Sequence, residues 1–122
     1  TLRSSFIGFF VGVLPGAGAT IASAIAYMTE KKISGSDQLG KGDIRGVAAP
    51  EAANNASACG SFIPMLTLGI PGSGTTAVMV GALTLYNITP GPAMFVEQPD
   101  IVWGLIAALL IGTISLMSPE TT

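Results

Sequence analysis

The feature that most constrains this chain is where its charges are missing. No Asp, Glu, Lys or Arg occurs from Ser4 to Thr29, from Ala52 to Val96, or from Ile101 to Pro119. A water-soluble fold cannot leave 45 consecutive residues uncharged without exposing a large apolar patch, whereas a bilayer demands such stretches. Charged residues make up 10% of the chain, against about 25% for an average soluble domain. The expected fold class is an all-α integral membrane protein of several spanning helices, since helices satisfy their own backbone polar groups in lipid.

The same inventory removes several function classes. The net charge is −2 and no Lys/Arg cluster is interleaved with aromatic residues, so nucleic-acid binding has no support. There is no histidine, which removes imidazole metal sites and histidine proton relays. Cys59 has no second cysteine to pair with and reads as a small buried hydrophobe. The chain starts at Thr1 and lacks a signal-peptide pattern, so it reads as an internal fragment of a longer protein.

Five segments follow along the chain. Residues 1–29 read as a first broken helix, because Pro15, Gly16 and Gly18 interrupt the apolar run from Phe6 to Met28. Residues 30–49 hold four of the five positive charges and read as a cytoplasmic loop by the positive-inside rule. Residues 50–89 form a second broken-helix region: Pro50 opens a helix, and Pro71 to Thr76 interrupts it. Residues 90–100 are a turn built on Pro90-Gly91-Pro92, and residues 101–117 are a transmembrane helix with Trp103 as interfacial anchor.

The two breaks are copies of one another. A shift of 56 residues places Pro15 on Pro71, Gly16 on Gly72, Gly18 on Gly74 and Thr20 on Thr76. Paired Gly/Pro interruptions in two hydrophobic segments point to a transporter's binding site, where discontinuous helices or re-entrant loops of an internal repeat meet. A first arm entering from outside and a second leaving to the cytoplasmic loop would make the two breaks an inverted repeat. Each restarting helix presents unpaired backbone N–H groups backed by the helix dipole, which favours a carboxylate. The candidate substrate-binding residues are therefore Pro15, Gly16, Gly18, Thr20, Pro71, Gly72, Ser73, Gly74, Thr75 and Thr76. Glu51, with Asn54 and Asn55 at i+3 and i+4, shares one helical face near a helix start. These three are candidates for a coupling-ion site, for Na⁺ or H⁺, or for support of the substrate ligands.

Two other classes of protein carry similar glycine-rich turns. Gly72 to Ala77 fits the dinucleotide fingerprint G-x-G-x-x-A with Glu97 downstream, but the first copy ends in Ile21, and a Pro-Gly-Pro turn precedes Glu97 where a second strand is required. Neither copy carries the Gly-Lys-Ser/Thr of a P-loop, and no cofactor is expected. A passive channel also uses broken helices, and differs in giving unsaturable flux.

The strings Gly12-Val13-Leu14-Pro15-Gly16-Ala17-Gly18-Ala19-Thr20, Ala49-Pro50-Glu51-Ala52-Ala53-Asn54-Asn55-Ala56 and Leu66-Thr67-Leu68-Gly69-Ile70-Pro71-Gly72-Ser73, with Pro90-Gly91-Pro92, resemble the large permease subunit of tripartite tricarboxylate transporters, the TctA family. The resemblance extends to about Gly112. It implies a multi-pass permease of the bacterial inner membrane that works with a small membrane subunit and a periplasmic solute-binding protein. It also implies import of citrate or related carboxylates on an ion gradient, with no enzymatic activity. Gly74 stands where this family often has Ala, and Asn87 where it usually has Gly.

Overall fold

The computed structural model describes residues 1–117 and is helical throughout, with no strand among the described residues. Its elements are α1 (Leu2–Val13), α2 (Gly18–Ser34), α3 (Arg45–Leu68), α4 (Gly74–Leu85), the single turn α5 (Met94–Glu97) and α6 (Pro99–Met117). Among the described residues no helix is both long enough and apolar enough to cross a membrane. At 1.5 Å rise per residue, α1 is about 18 Å long, and α3, at about 36 Å, is the longest helix.

Helix α1 stops because Pro15 follows it. Leu14 is forced out of the helical region to ψ 119°, as a residue before proline is. Gly16 at φ +83° and Gly18 at φ +67° then reverse the chain, a backbone path that a side chain would oppose. Arg3 at the start of α1 donates to Glu30 near the end of α2 at 3.1 Å. The two arms therefore fold back as a hairpin with both open ends on one side. The sequence reading offers discontinuous helices or re-entrant loops, and one arm entering on one side with the other leaving on the opposite side; the helices instead form a hairpin whose two open ends lie together.

Two helix boundaries also differ from the sequence reading. Helix α2 runs on to Ser34, where Gly35 at φ +57° ends it, with Lys31 and Lys32 in its last turn. Helix α3 begins at Arg45, five residues before Pro50, so the polar connection shortens to residues 35–44. The Asp43 carboxylate accepts from the Arg45 backbone N–H at 3.0 Å and from its guanidinium at 2.6 Å, fixing this earlier start. Pro50 and Pro64 both lie inside α3. The Pro50 carbonyl receives the Ser23 hydroxyl of α2 at 3.2 Å.

Helices α1 and α2 both pack on α3 through small residues. Ala22, Ala26, Ala49 and Ala53 are all but fully buried. Gly8 of α1 lies against the Ala53 backbone, Gly12 against the Ser57 backbone and Gly60 of α3 against the Phe9 carbonyl, so α1 runs parallel to α3 with main chains almost in contact. Small residues four apart permit such an approach. On α3 the stripe Glu51, Asn55, Cys59, Ile63 faces away from these contacts and is exposed. Cys59 is thus not the buried hydrophobe its apolar neighbours indicate.

A second, larger-residue core lies beyond the glycine contacts. Met65, Leu66, Met94 and Val102 form it, with Phe62, Met79, Val80, Leu83 and Ile88 against it. Helix α4 therefore leaves its start toward the far end of α3, opposite in sense to α2. It closes with a Schellman pattern: Ile88 N–H donates to Leu83 and Asn87 N–H to Thr84, both at 3.0 Å. Asn87 sits at φ +57°, a conformation that glycine takes freely and asparagine better than most other residues.

Candidate functional site

The two sequence-equivalent turns touch. The Gly16 N–H donates to the Gly72 carbonyl at 3.1 Å, so the two glycines related by the 56-residue shift are joined directly. Close approach is built into this contact, because a Cβ on Gly72 would stand 2.9 Å from the Ser61 Cβ and 3.2 Å from the Gly12 carbonyl oxygen.

Beside this contact opens a cavity of about 390 Å³. Gly18, Ala19 and Thr20 line it from the start of α2, and Ser73, Gly74, Thr75 and Thr76 from the start of α4. Between them α3 presents Asn54, Ser57, Ala58, Ser61 and Phe62, and Met79 closes the apolar side. No lining residue is charged.

The two helix starts are not equivalent. Ser73 and Thr76 form a reciprocal capping box: Ser73 Oγ accepts from Thr76 N–H at 3.3 Å, and Thr76 Oγ1 accepts from Ser73 N–H at 2.8 Å. The Thr76 hydroxyl also donates to the Ser73 carbonyl at 2.9 Å, and the residue is only 2% exposed. Thr76 thus builds the turn. The amides of Gly74 and Thr75, in the first turn of α4, are left without an intrahelical acceptor. Helix α2, with Ala17 as its N-cap, has no side-chain cap, so its first-turn donors also lack an intrahelical acceptor, with the exposed Thr20 hydroxyl beside them.

Of the remaining sequence candidates, Pro15 and Gly16 lie at the hairpin tip and Pro71 and Gly72 behind the cavity wall, where they shape the turns without lining the space. The trio of Glu51, Asn54 and Asn55 divides. Asn54 lines the cavity, whereas Asn55 donates to the Glu51 carboxylate at 3.3 Å and to its carbonyl at 3.1 Å on the exposed stripe of α3. Because α3 begins at Arg45, Glu51 lies in its second turn, away from the amide donors of the helix start. Ser57, Ala58, Ser61, Phe62 and Met79 were not singled out in the sequence. A signal existed: Asn54, Ser57 and Ser61 recur at helical spacing along one face of an alanine-rich segment.

The family model of the tripartite tricarboxylate transporter TctA family matches residues 1–119. The chain belongs to this family. Two curated relatives, both from Agrobacterium vitis, match this TctA-family chain closely. One, described as an uncharacterized 52.8 kDa protein in the TAR-I ttuC' 3'region, is 48% identical over 117 residues, 95% of this chain and 23% of the relative. The other, an uncharacterized protein in the TAR-II ttuC' 3'region, is 50% identical over 111 residues, 90% of this chain and 46% of the relative. The chain thus spans between about a quarter and about half of the relatives it matches. No solved structure matches it.

Proposed function

We propose that this TctA-family chain forms the substrate-holding part of a membrane permease in a secondary, binding-protein-dependent importer of tricarboxylates or related small carboxylates. The observation that carries the reading is the convergence of two opposed helix starts on one uncharged cavity. Each helix start is worth roughly half a positive charge, and the two point into the same space from opposite sides. The amides of Gly74 and Thr75 and those opening α2 would hold carboxylate oxygens, with the hydroxyls of Thr20 and Thr75 beside them. Two such ends offset about one negative charge, so a di- or tricarboxylate needs further cations to enter. That need is met by coupling to a Na⁺ or H⁺ gradient, for which Asn54 at the cavity and the Glu51–Asn55 pair beside it are the candidate ligands.

In this reading the permease sits in the bacterial inner membrane, with residues 35–44 on the cytoplasmic side. It takes its substrate from a periplasmic binding protein and works with a small membrane subunit. The exposed apolar side chains of α1, α4 and α6, among them Phe6, Phe10, Val78, Leu85 and Trp103, would face lipid or the rest of the permease. Alternating access moves one helix start relative to the other and so opens the cavity to each side in turn.

The test is uptake by the full-length permease with its partner subunits in proteoliposomes, using a panel of carboxylates with Na⁺ and proton gradients imposed separately. Saturable, gradient-dependent uptake is expected, and Gly16→Val and Gly72→Val are each expected to weaken it. Unsaturable flux indifferent to both gradients would indicate a passive pore.

A further inference from the structure

Among the polar side chains lining the cavity, most are already occupied or open to solvent. Ser61 donates to the Ala58 carbonyl at 2.8 Å, and Ser73 and Thr76 satisfy each other. Thr20, Asn54 and Thr75 are exposed. Ser57 is different: the residue is 1% exposed and lines the cavity, and its hydroxyl bonds to none of the described residues; the atoms sealed from solvent without a partner are Ser34 Oγ and Gln98 Oε1, so the Ser57 hydroxyl keeps its small opening to the cavity.

A serine or threonine in mid-helix can bond back to the carbonyl four residues earlier, as two threonines of this chain do. Thr67 donates to Ile63 at 2.6 Å, and Thr84 to Val80 at 2.8 Å. The corresponding acceptor for Ser57 is the Ala53 carbonyl, which is pressed against Gly8 of α1 and receives no bond from Ser57. The hydroxyl is left with the cavity, midway along the Asn54–Ser57–Ser61 face and between the two helix starts. A hydroxyl that opens only onto a cavity takes its acceptor from whatever fills that cavity, and a carboxylate oxygen there makes a charge-assisted hydrogen bond with it.

We infer that Ser57 is a specificity-determining ligand of the transported anion, donating its hydroxyl to an oxygen of the carboxylate held between the starts of α2 and α4. The inference rests on the carboxylate-import reading above. It predicts a role for Ser57 in binding that is separate from its small size at the contact with Gly12.

The test uses the full-length permease with its partner subunits in proteoliposomes, offered citrate, malate and succinate. Wild type is compared with Ser57→Ala, Ser57→Cys and the control Ser4→Ala, which deletes an equally buried hydroxyl outside the cavity. Loss of one ligand hydrogen bond is expected to raise the half-saturation concentration for the imported carboxylate roughly 10-fold in Ser57→Ala. The maximal rate should stay within about twofold, Ser57→Cys should fall between, as the weaker donor it is, and Ser4→Ala should match wild type. A packing role orders the variants differently, since the bulkier cysteine would be the worst and alanine harmless. That order, or a Ser57→Ala variant equal to wild type, overturns the inference while import stands. A wild-type complex that imports none of the three overturns the import reading and this inference with it.

Discussion

Gly12→Ala tests the physical basis of the fold most directly. The added methyl would sit 2.6 Å from the Ser57 Cα and 2.8 Å from its carbonyl carbon, whereas carbons in good contact are about 3.5–4.0 Å apart. Helix α1 must therefore withdraw from α3 by about 1 Å. Overpacking of this kind costs about 1–3 kcal/mol, and the upper half applies here because the opposing atoms are main chain and cannot rotate away. If the withdrawal carries through to the hairpin tip, the 3.1 Å bond between Gly16 and Gly72 lengthens beyond hydrogen-bonding range, adding about 1 kcal/mol. The assay is thermal and denaturant unfolding of the full-length permease in detergent, followed by loss of helical signal. Ser57→Gly in the same chain is expected not to restore stability, because the clash is with backbone. A change below about 0.5 kcal/mol, the range of ordinary surface substitutions, or full rescue by Ser57→Gly, would refute the view that backbone contact sets the α1–α3 separation.

Other substitutions separate the remaining forces. Gly72→Ala meets the Ser61 side chain first, at 2.9 Å, so Ser61→Gly should recover part of its stability loss in the same unfolding assay, unlike the Gly12 pair. Gly16→Ala has open space around it but φ +83°, and should cost about 1–2 kcal/mol from backbone strain alone, with Gly16→Asn milder. Gly74→Ala meets nothing within 4 Å and needs no left-handed backbone; it should be neutral or stabilising by up to about 1 kcal/mol. Thr76→Val removes the capping box and should cost about 1 kcal/mol, whereas Thr76→Ser should retain most of it. The Asp43 carboxyl lies below its ordinary range of 3.8 chiefly through the Arg45 side-chain hydrogen bonds. A depressed acid stabilises the folded form above its unfolded pKa and loses that effect as pH falls through the folded value. Protease cleavage in residues 35–44 should therefore be steady from neutral pH down to about pH 4 and rise only below it, and Asp43→Asn should abolish that rise.

Much of the site was legible because its residues are constrained locally. A proline forces the residue before it out of a helix and a glycine alone turns freely into the left-handed region, so Pro15, Gly16 and Gly18 mark a reversal wherever they occur. The duplication identified Gly72 as the partner of Gly16, and the pair meets. Asn54 was legible as a polar residue on an apolar segment. Illegible were the features that depend on what lies across a helix interface. The spacing of Gly8 and Gly12 is compatible with a kink, a lipid-facing groove or a close contact, and nothing local distinguishes them. Nor could Pro50 reveal that α3 begins at Arg45, because Asp43 bonding and the burial of Ala49 and Ala53 outweigh the one backbone bond a proline forfeits.

The sequence by itself therefore determined the helical class and the two breaks, since each follows from side-chain polarity or from the allowed φ and ψ of single residues. Tertiary structure alone decided how the breaks are used. It folded the first into a hairpin tied by Arg3 and Glu30, gave Ser73 and Thr76 to the cap of α4, and placed Ser57 in the wall of the cavity. The reason is that a hydrogen-bonding group's role depends on which partners packing leaves free, and packing between helices is not encoded in any one of them.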